Sequence, residues 1–211
     1  MKHGKFITFE GGEGAGKSTQ AHHLQARLEK AGISAVLTRE PGGSPGAEEI
    51  RRLLVNGETE RWNPLSETLL LYAARNDHLM RTIRPALRHG YWVISDRFAD
   101  SSHAYQGAAG GIDSAFLDVL DKAVIENTLP DLTIILDIPA ETGLKRTLKR
   151  NGGKADEDRF ENKTRAFHEK LREGFLAIAR AEPERCAVVG TEADPDTVAQ
   201  QIWQIVQDRL V

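Results

Sequence analysis

The chain has 211 residues, which suits one domain with a full hydrophobic core. Apolar residues make up 40% and charged residues 28%, a balance that excludes a disordered chain. The net charge of −3 excludes a general nucleic-acid binder, so any nucleotide has to be held by a local site. In chain order, residues 6–9 read as a buried strand entering a glycine turn, and residues 17–31 as a helix with apolar spacing at Ala21, Leu24 and Leu28. Gly32 closes that helix. Residues 35–38 form a second strand, and two helices follow over 47–54 and 66–88, the second closed by Gly90. Residues 91–95 are a third strand running into Asp96. A helix over 114–126 and a fourth strand over 132–136 come next. Pro139 opens a helix through Arg150, followed by the glycine-rich loop 151–154. The pattern ends with a helix over 162–180, a short strand over 187–189 and a last helix from Pro195 with Asp194 as its N-cap.

Strands alternating with helices predict an α/β domain with a parallel sheet covered on both faces. Ligands in such sheets bind beyond the carboxyl ends of the strands. The one cysteine, Cys186, excludes an internal disulfide and precedes an apolar run, which reads as a buried, inert thiol. No run is apolar enough for a signal peptide or a membrane span, so a cytoplasmic location with no membrane partner is expected. The histidines show no ligand spacing and read as structural or solvated.

Gly11-Gly12-Glu13-Gly14-Ala15-Gly16-Lys17-Ser18 matches G-x-x-x-x-G-K-[ST], after a strand and at the start of a helix, the context that a phosphate loop requires. Glycines let successive backbone N–H groups point at phosphate oxygens, and the helix N-terminus adds partial positive charge. Lys17, read as an exposed side chain, reaches the β- and γ-phosphates, and the Ser18 hydroxyl can hold Mg²⁺. A GTPase is disfavoured. The nearest segment to N-K-x-D is Asn162-Lys163-Thr164-Arg165, and D-x-x-G is absent.

Asp96-Arg97-Phe98 ends the third strand, where a metal-binding or proton-accepting carboxylate belongs. Arg39-Glu40 follows the second strand, and Arg75 lies on a helix. Arginines near separate strand ends make a clamp for a second phosphate group, because the planar fork binds phosphate oxygens bidentately. A phosphate loop for ATP plus an arginine clamp describes a kinase with a phosphorylated acceptor.

The segments E-G-x-E-G-x-G-K-S, T-R-E-P-G-G, Y-A-A-R, D-R-F-x-x-S-S-x-A-Y-Q-G and a late D-R-F-E together resemble the thymidylate kinase family, from Phe6 to beyond Glu161 and in the family's order. The resemblance implies a nucleoside monophosphate kinase fold, with a five-stranded parallel sheet in a single domain and a small mobile lid over about 146–160. It implies transfer of the γ-phosphate of ATP to dTMP, Mg²⁺ as cofactor, and a homodimer. By the same resemblance Gly11, Gly12, Gly14, Ala15, Gly16, Lys17, Ser18, Thr19 and Arg146 hold ATP, with Arg146 packed on adenine. Ser18 and Asp96 hold the metal. Arg39 and Arg97 hold the acceptor phosphate. Arg75, Gln106 and Ser102, with Ser101 beside it, serve the base side. Tyr105 packs on the sugar where a 2′-hydroxyl would project, and Glu13 lies near the acceptor's 3′-hydroxyl. Leu71 stands where the family commonly has a phenylalanine stacked on thymine; it covers a base face without the ring quadrupole.

Gly14 stands where some relatives carry an arginine in the loop, so the extra positive charge must come from elsewhere. The basic run 145–154 resembles a lid that supplies it. Among Arg146, Arg150, Lys154 and Arg159 the sequence does not choose, although Arg150 and Arg159 are the catalytic candidates once Arg146 is given to adenine. Two other readings stay open here: a kinase for another nucleoside monophosphate or a deoxynucleoside, and a non-catalytic ATP-binding regulator.

Overall fold

The computed structural model describes residues 3–57, 61–150 and 163–211. Five strands, β1 (Phe6–Glu10), β2 (Ala35–Arg39), β3 (Trp92–Asp96), β4 (Leu132–Asp137) and β5 (Cys186–Gly190), form one parallel sheet in the order β2-β3-β1-β4-β5. All five residues of β1 are buried, as a strand covered on both faces demands. Register pairs Asp96 with Phe9 on one side and with Arg39 on the other, so the carboxyl ends of the three strands are level.

The connecting helices are α1 (Lys17–Lys30), α2 (Pro45–Val55), α3 (Pro64–His78), α4 (Arg84–Arg88), α5 (Ala99–Ser102), α6 (Ser114–Val124), α7 (Ala140–Arg150), α8 (Arg165–Ala181) and α9 (Pro195–Leu210). On one face of the sheet α1 and α9 bury Leu24, Leu28, Val198, Ile202 and Val206 against Ile7, Phe9, Ile94 and Ile134. On the other, Phe6, Leu79, Ile83, Val93 and Phe98 form a second cluster, and Tyr105, Ile135, Leu171 and Phe175 a third. Cys186 is buried in that third cluster, and burial raises its thiol pKa to about 11, which fits an inert thiol. Asp194 caps α9, its carboxylate accepting from the backbone of Asp196 and Thr197.

Two departures from the periodicity matter for the cleft. The single helix expected over 66–88 is divided by a π turn, Leu79–Ile83, between α3 and α4. Pro85 lacks an N–H and its ring crowds the carbonyl four residues back, and a wider turn accommodates both. The region after Phe98, where apolar spacing predicts nothing, is helical: α5 runs directly into a second π turn, His103–Ala109.

Candidate active site

The loops after β1, β2 and β3 open into a cleft of about 460 Å³. The loop between β1 and α1 requires glycine at two positions where backbone from elsewhere in the chain approaches closely. Gly14 has φ +69°, and a Cβ there would lie 2.1 Å from the carbonyl oxygen of Gly143 on α7. Gly11 has φ +134° and would meet the Leu136 carbonyl at 2.4 Å. Glu13, Gly14, Gly16, Lys17, Ser18 and Thr19 line the cleft. Ala15 turns its methyl into the core, so only its backbone is open to a ligand.

Lys17 is only 7% exposed, contrary to the expectation of an exposed lysine. Its Nζ donates to the carbonyls of Gly11 at 3.0 Å and Gly12 at 2.8 Å. Burial, and then Arg97, lower its pKa to about 8 against the pull of Glu13, Asp96 and Glu10. Ser18 Oγ donates to Asp96 Oδ2 at 2.5 Å, so the two expected metal ligands meet across the gap between α1 and β3.

Arg97 has φ +74°, a left-handed conformation that costs about 1–3 kcal/mol outside glycine. Its N–H donates to Phe9 O, and Ser95 Oγ donates to its carbonyl. The guanidinium donates to Glu13 Oε1 at 2.8 Å and lies 4.8 Å from the Tyr105 ring centre. Tyr105 Oη donates to the same Glu13 oxygen at 2.5 Å. Burial alone would raise the Glu13 pKa, but Arg97, then Lys17 and the Tyr105 hydroxyl, outweigh it and hold the carboxyl at about 2. Glu13 is therefore charged at neutral pH.

Arg75 and Leu71 project into the cleft from α3 at i and i+4. Arg75 is 2% exposed; its Nε donates to Glu40 Oε2 at 2.9 Å and its Nη2 to Phe98 O and Ser102 Oγ. Its Nη1 is buried with no partner among the described residues. Gln106 is 3% exposed, and its Nε2 donates to Glu67 Oε1 at 2.9 Å, leaving its buried Oε1 without a partner among the described residues. Ser101, Ser102, Tyr105 and Gln106 line the cleft together, two adjacent columns on one face of the helical segment after β3. Arg39, more than half exposed, faces the Glu48 carboxylate of α2, with its Nη2 3.2 Å from each oxygen.

The structure thus gathers Glu13, Lys17, Ser18, Arg39, Leu71, Arg75, Asp96, Arg97, Ser101, Ser102, Tyr105 and Gln106 around one cleft. It does not bring Arg146 there: that side chain is exposed on α7, outside the cleft lining. The side chain of Arg150, together with Lys154 and Arg159, lies outside the described residues, as does most of the segment 146–160.

Three participants were not identified from the sequence. Glu40 is buried, its carboxyl pKa lowered because Arg75 and then His78 outweigh the cost of burial. His78, fully buried, bridges Thr38 Oγ1 at 2.7 Å and Glu40 Oε1 at 3.0 Å. Arg51 lines the cleft from α2 and donates to Pro41 O at 2.7 Å. For Glu40, the adjacency to Arg39 was the available signal; for His78 and Arg51 there was none.

The whole chain has close relatives. A thymidylate kinase from Caulobacter vibrioides is 54% identical over 210 residues, covering 100% of this chain and 99% of that protein. One from Afipia carboxidovorans is 54% identical over 207 residues, covering 98% and 90%. The crystal structure of thymidylate kinase from Ehrlichia chaffeensis superposes with a TM-score of 0.79 at 34% identity, covering 97% of this chain and 100% of that one. A sequence model of thymidylate kinases matches residues 9–202. With the fold, the phosphate loop and the arginine-lined cleft in agreement with these matches, the chain belongs to the thymidylate kinase family.

Proposed function

We propose that the cleft performs the family's reaction, transfer of the γ-phosphate of ATP to dTMP, with the thymine ring between Leu71, Arg75 and Gln106. The observation that carries this reading is a complementary pair of buried, unpartnered atoms: a donor, Arg75 Nη1, and an acceptor, Gln106 Oε1. Glu67 accepts from the other end of the Gln106 amide and thereby fixes which atom is left over. Thymine offers an acceptor at O4 beside a donor at N3–H. Cytosine offers the reverse and would leave both protein atoms unpaired, at about 1–3 kcal/mol each. A deoxynucleoside acceptor, lacking a phosphate, would have no use for Arg39 and Arg97.

In the reaction an oxygen of the dTMP phosphate attacks the γ-phosphorus while the bond to the β-phosphate oxygen breaks, giving dTDP and ADP. Arg39 and Arg97 hold the acceptor phosphate, and Lys17 and the loop N–H groups hold the ATP phosphates, so the enzyme's contribution is positioning and charge. Mg²⁺ fits the hard oxygen pair of Ser18 and Asp96, which suits an ion held by few protein ligands and by phosphates. When bound, it neutralises charge on the transferring group. Tyr105 orients Glu13 and excludes a 2′-hydroxyl. The segment 146–160 acts as a lid on a single domain and brings the cation that Gly14 does not supply.

No helix among the described residues is long and apolar enough to cross a membrane. A cytoplasmic homodimer is the form we propose. The test of the base reading compares kcat/KM for dTMP and dCMP. We expect a preference for dTMP of at least about 10³, because a site built to hydrogen-bond its substrate rejects a mismatched partner strongly, and Arg75→Met and Gln106→Leu should each reduce it. Equal turnover of the two nucleotides would refute the reading.

A further inference from the structure

Glu10 ends β1 and is fully buried, yet no step of the reaction uses it. Its Oε1 accepts from the Phe98 N–H at 2.7 Å and from the Ser101 N–H at 3.3 Å. Its Oε2 accepts from the Ser101 hydroxyl at 2.6 Å. The Ser101 oxygen in turn accepts from Arg97 Nη1 at 3.3 Å, and the same Nη1 reaches Gly11 O at 3.2 Å. Every polar contact of this carboxyl therefore bears on the turn that carries Arg97, whose backbone is left-handed.

We propose that Glu10 is a positioning residue for the acceptor phosphate, fixing the backbone just after Arg97 and, through the Ser101 hydroxyl, the direction of the guanidinium.

Two physical points favour this over a carboxyl that merely satisfies stray N–H groups. First, a left-handed arginine relaxes unless the residues on both sides are held. Phe9 O and Ser95 Oγ hold Arg97 itself, and Glu10 is the side chain that holds Phe98 and Ser101 on its C-terminal side. Second, a buried carboxyl is an expensive way to satisfy two N–H groups. Burial, with Asp100 nearby, raises its pKa above the usual carboxylate range despite Ser101, Arg97 and the Phe98 N–H. Asp100 is itself occupied elsewhere, held by both Nη atoms of Arg185 at 2.7 and 2.9 Å. With its hydrogen bonds on one functional turn, the carboxyl is there for that turn.

The inference rests on the reading of Arg97 as a ligand of the acceptor phosphate, and the experiment separates the two. Binding of dTMP and of thymidine, which has the base and sugar without the phosphate, is measured by calorimetry for the parent, Glu10→Gln, Arg97→Ala and the double variant. Glu10→Gln is near isosteric and keeps an acceptor for the N–H groups. It should weaken dTMP at least about tenfold, since small displacements of a positioning group carry large penalties. Thymidine affinity should stay within about twofold and the circular dichroism spectrum should be unchanged. In the Arg97→Ala background Glu10→Gln should have no further effect on dTMP, because coupled residues are not additive. Equal losses for dTMP and thymidine, full additivity, or no loss at all would overturn the role of Glu10. Should Glu10→Gln fail to fold, Glu10→Asp draws the carboxyl back by one methylene from the Phe98 and Ser101 groups it holds: dTMP must weaken while thymidine does not, and any other pattern overturns the proposal. If Arg97→Ala alone leaves dTMP unaffected relative to thymidine, it is the reading of Arg97 that fails.

Discussion

At the scale of single residues, the cleft is organised by shared acceptors. One oxygen of Glu13 receives both the Tyr105 hydroxyl and the Arg97 guanidinium, so Tyr105 cannot act on the sugar alone. Its ring and its hydroxyl have separable duties, and two substitutions separate them. Tyr105→Phe keeps the ring beside Arg97 but removes the donor to Glu13. It should preserve the preference for dTMP over the ribonucleotide, while kcat falls as Glu13 and Arg97 loosen. Tyr105→Ala removes the ring as well and opens the space a 2′-hydroxyl needs, which should collapse the preference. The measurement is kcat/KM for the two nucleotides with each variant. A preference that survives Tyr105→Ala would take the sugar-side role from this residue.

At the scale of elements, the strands and the phosphate loop were legible because their physics is local. Short runs rich in β-branched residues, such as Ile134-Ile135-Leu136, bounded by turn residues, read as a doubly covered strand, and Gly11 to Ser18 sits between a strand and a helix. The segment from Ala99 to Ala109 was not legible, because its inward face is shared between the cleft and the core, which Ala99, Ala104 and Tyr105 join. Ser101, Ser102, Tyr105 and Gln106 recur with helical spacing, but they are polar, so no apolar period marks them. Arg75, His78 and Glu40 meet across more than 30 residues of chain, and no local pattern announces such a meeting. Helix α7 was legible as a helix but not in what it touches. Its Gly143 carbonyl sits against the backbone of Gly14, leaving no room there for a side chain, so the loop cannot carry its own arginine. The proposed lid is then the source of the extra charge to be tested against Arg39 and Arg97, which already line the cleft. Arg150→Ala, Lys154→Ala and Arg159→Ala are therefore to be assayed singly. One of them should lower kcat by about 10³ or more, the scale of an arginine finger, with little change in the KM for ATP. Arg146→Ala should instead act mainly on that KM. If all four keep kcat within about threefold, roughly 0.7 kcal/mol of barrier, the segment is only a cover.

At the scale of the whole molecule, five large apolar side chains are exposed on α3, on the π turn after it and on α6. Leu65 and Leu69 stand at i and i+4 on the outer side of α3, Met80 follows on the π turn, and Phe116 and Val119 project from α6; all are exposed. The two helices are fastened to each other, with Asp121 of α6 accepting from Tyr72 of α3 at 2.7 Å and sitting 2.7 Å from His103. The inner side of the same α3 carries Leu71 and Arg75 into the cleft. A second copy of the chain covering the outer side would therefore stiffen the helix that lines the cleft, and this is the surface on which we place the proposed homodimer. Leu69→Glu combined with Val119→Glu adds charge to this face without touching the cleft. On a free surface such changes move stability by about 0.5 kcal/mol or less. At a dimer interface they do three things together. Sedimentation should shift from dimer to monomer. The parent's melting temperature should rise with protein concentration while the variant's does not. The KM for dTMP should rise, because α3 has lost its buttress. A parent chain that sediments as a monomer at the concentrations used for assay, or a variant indistinguishable from it in all three measurements, would leave the apolar face without this occupant.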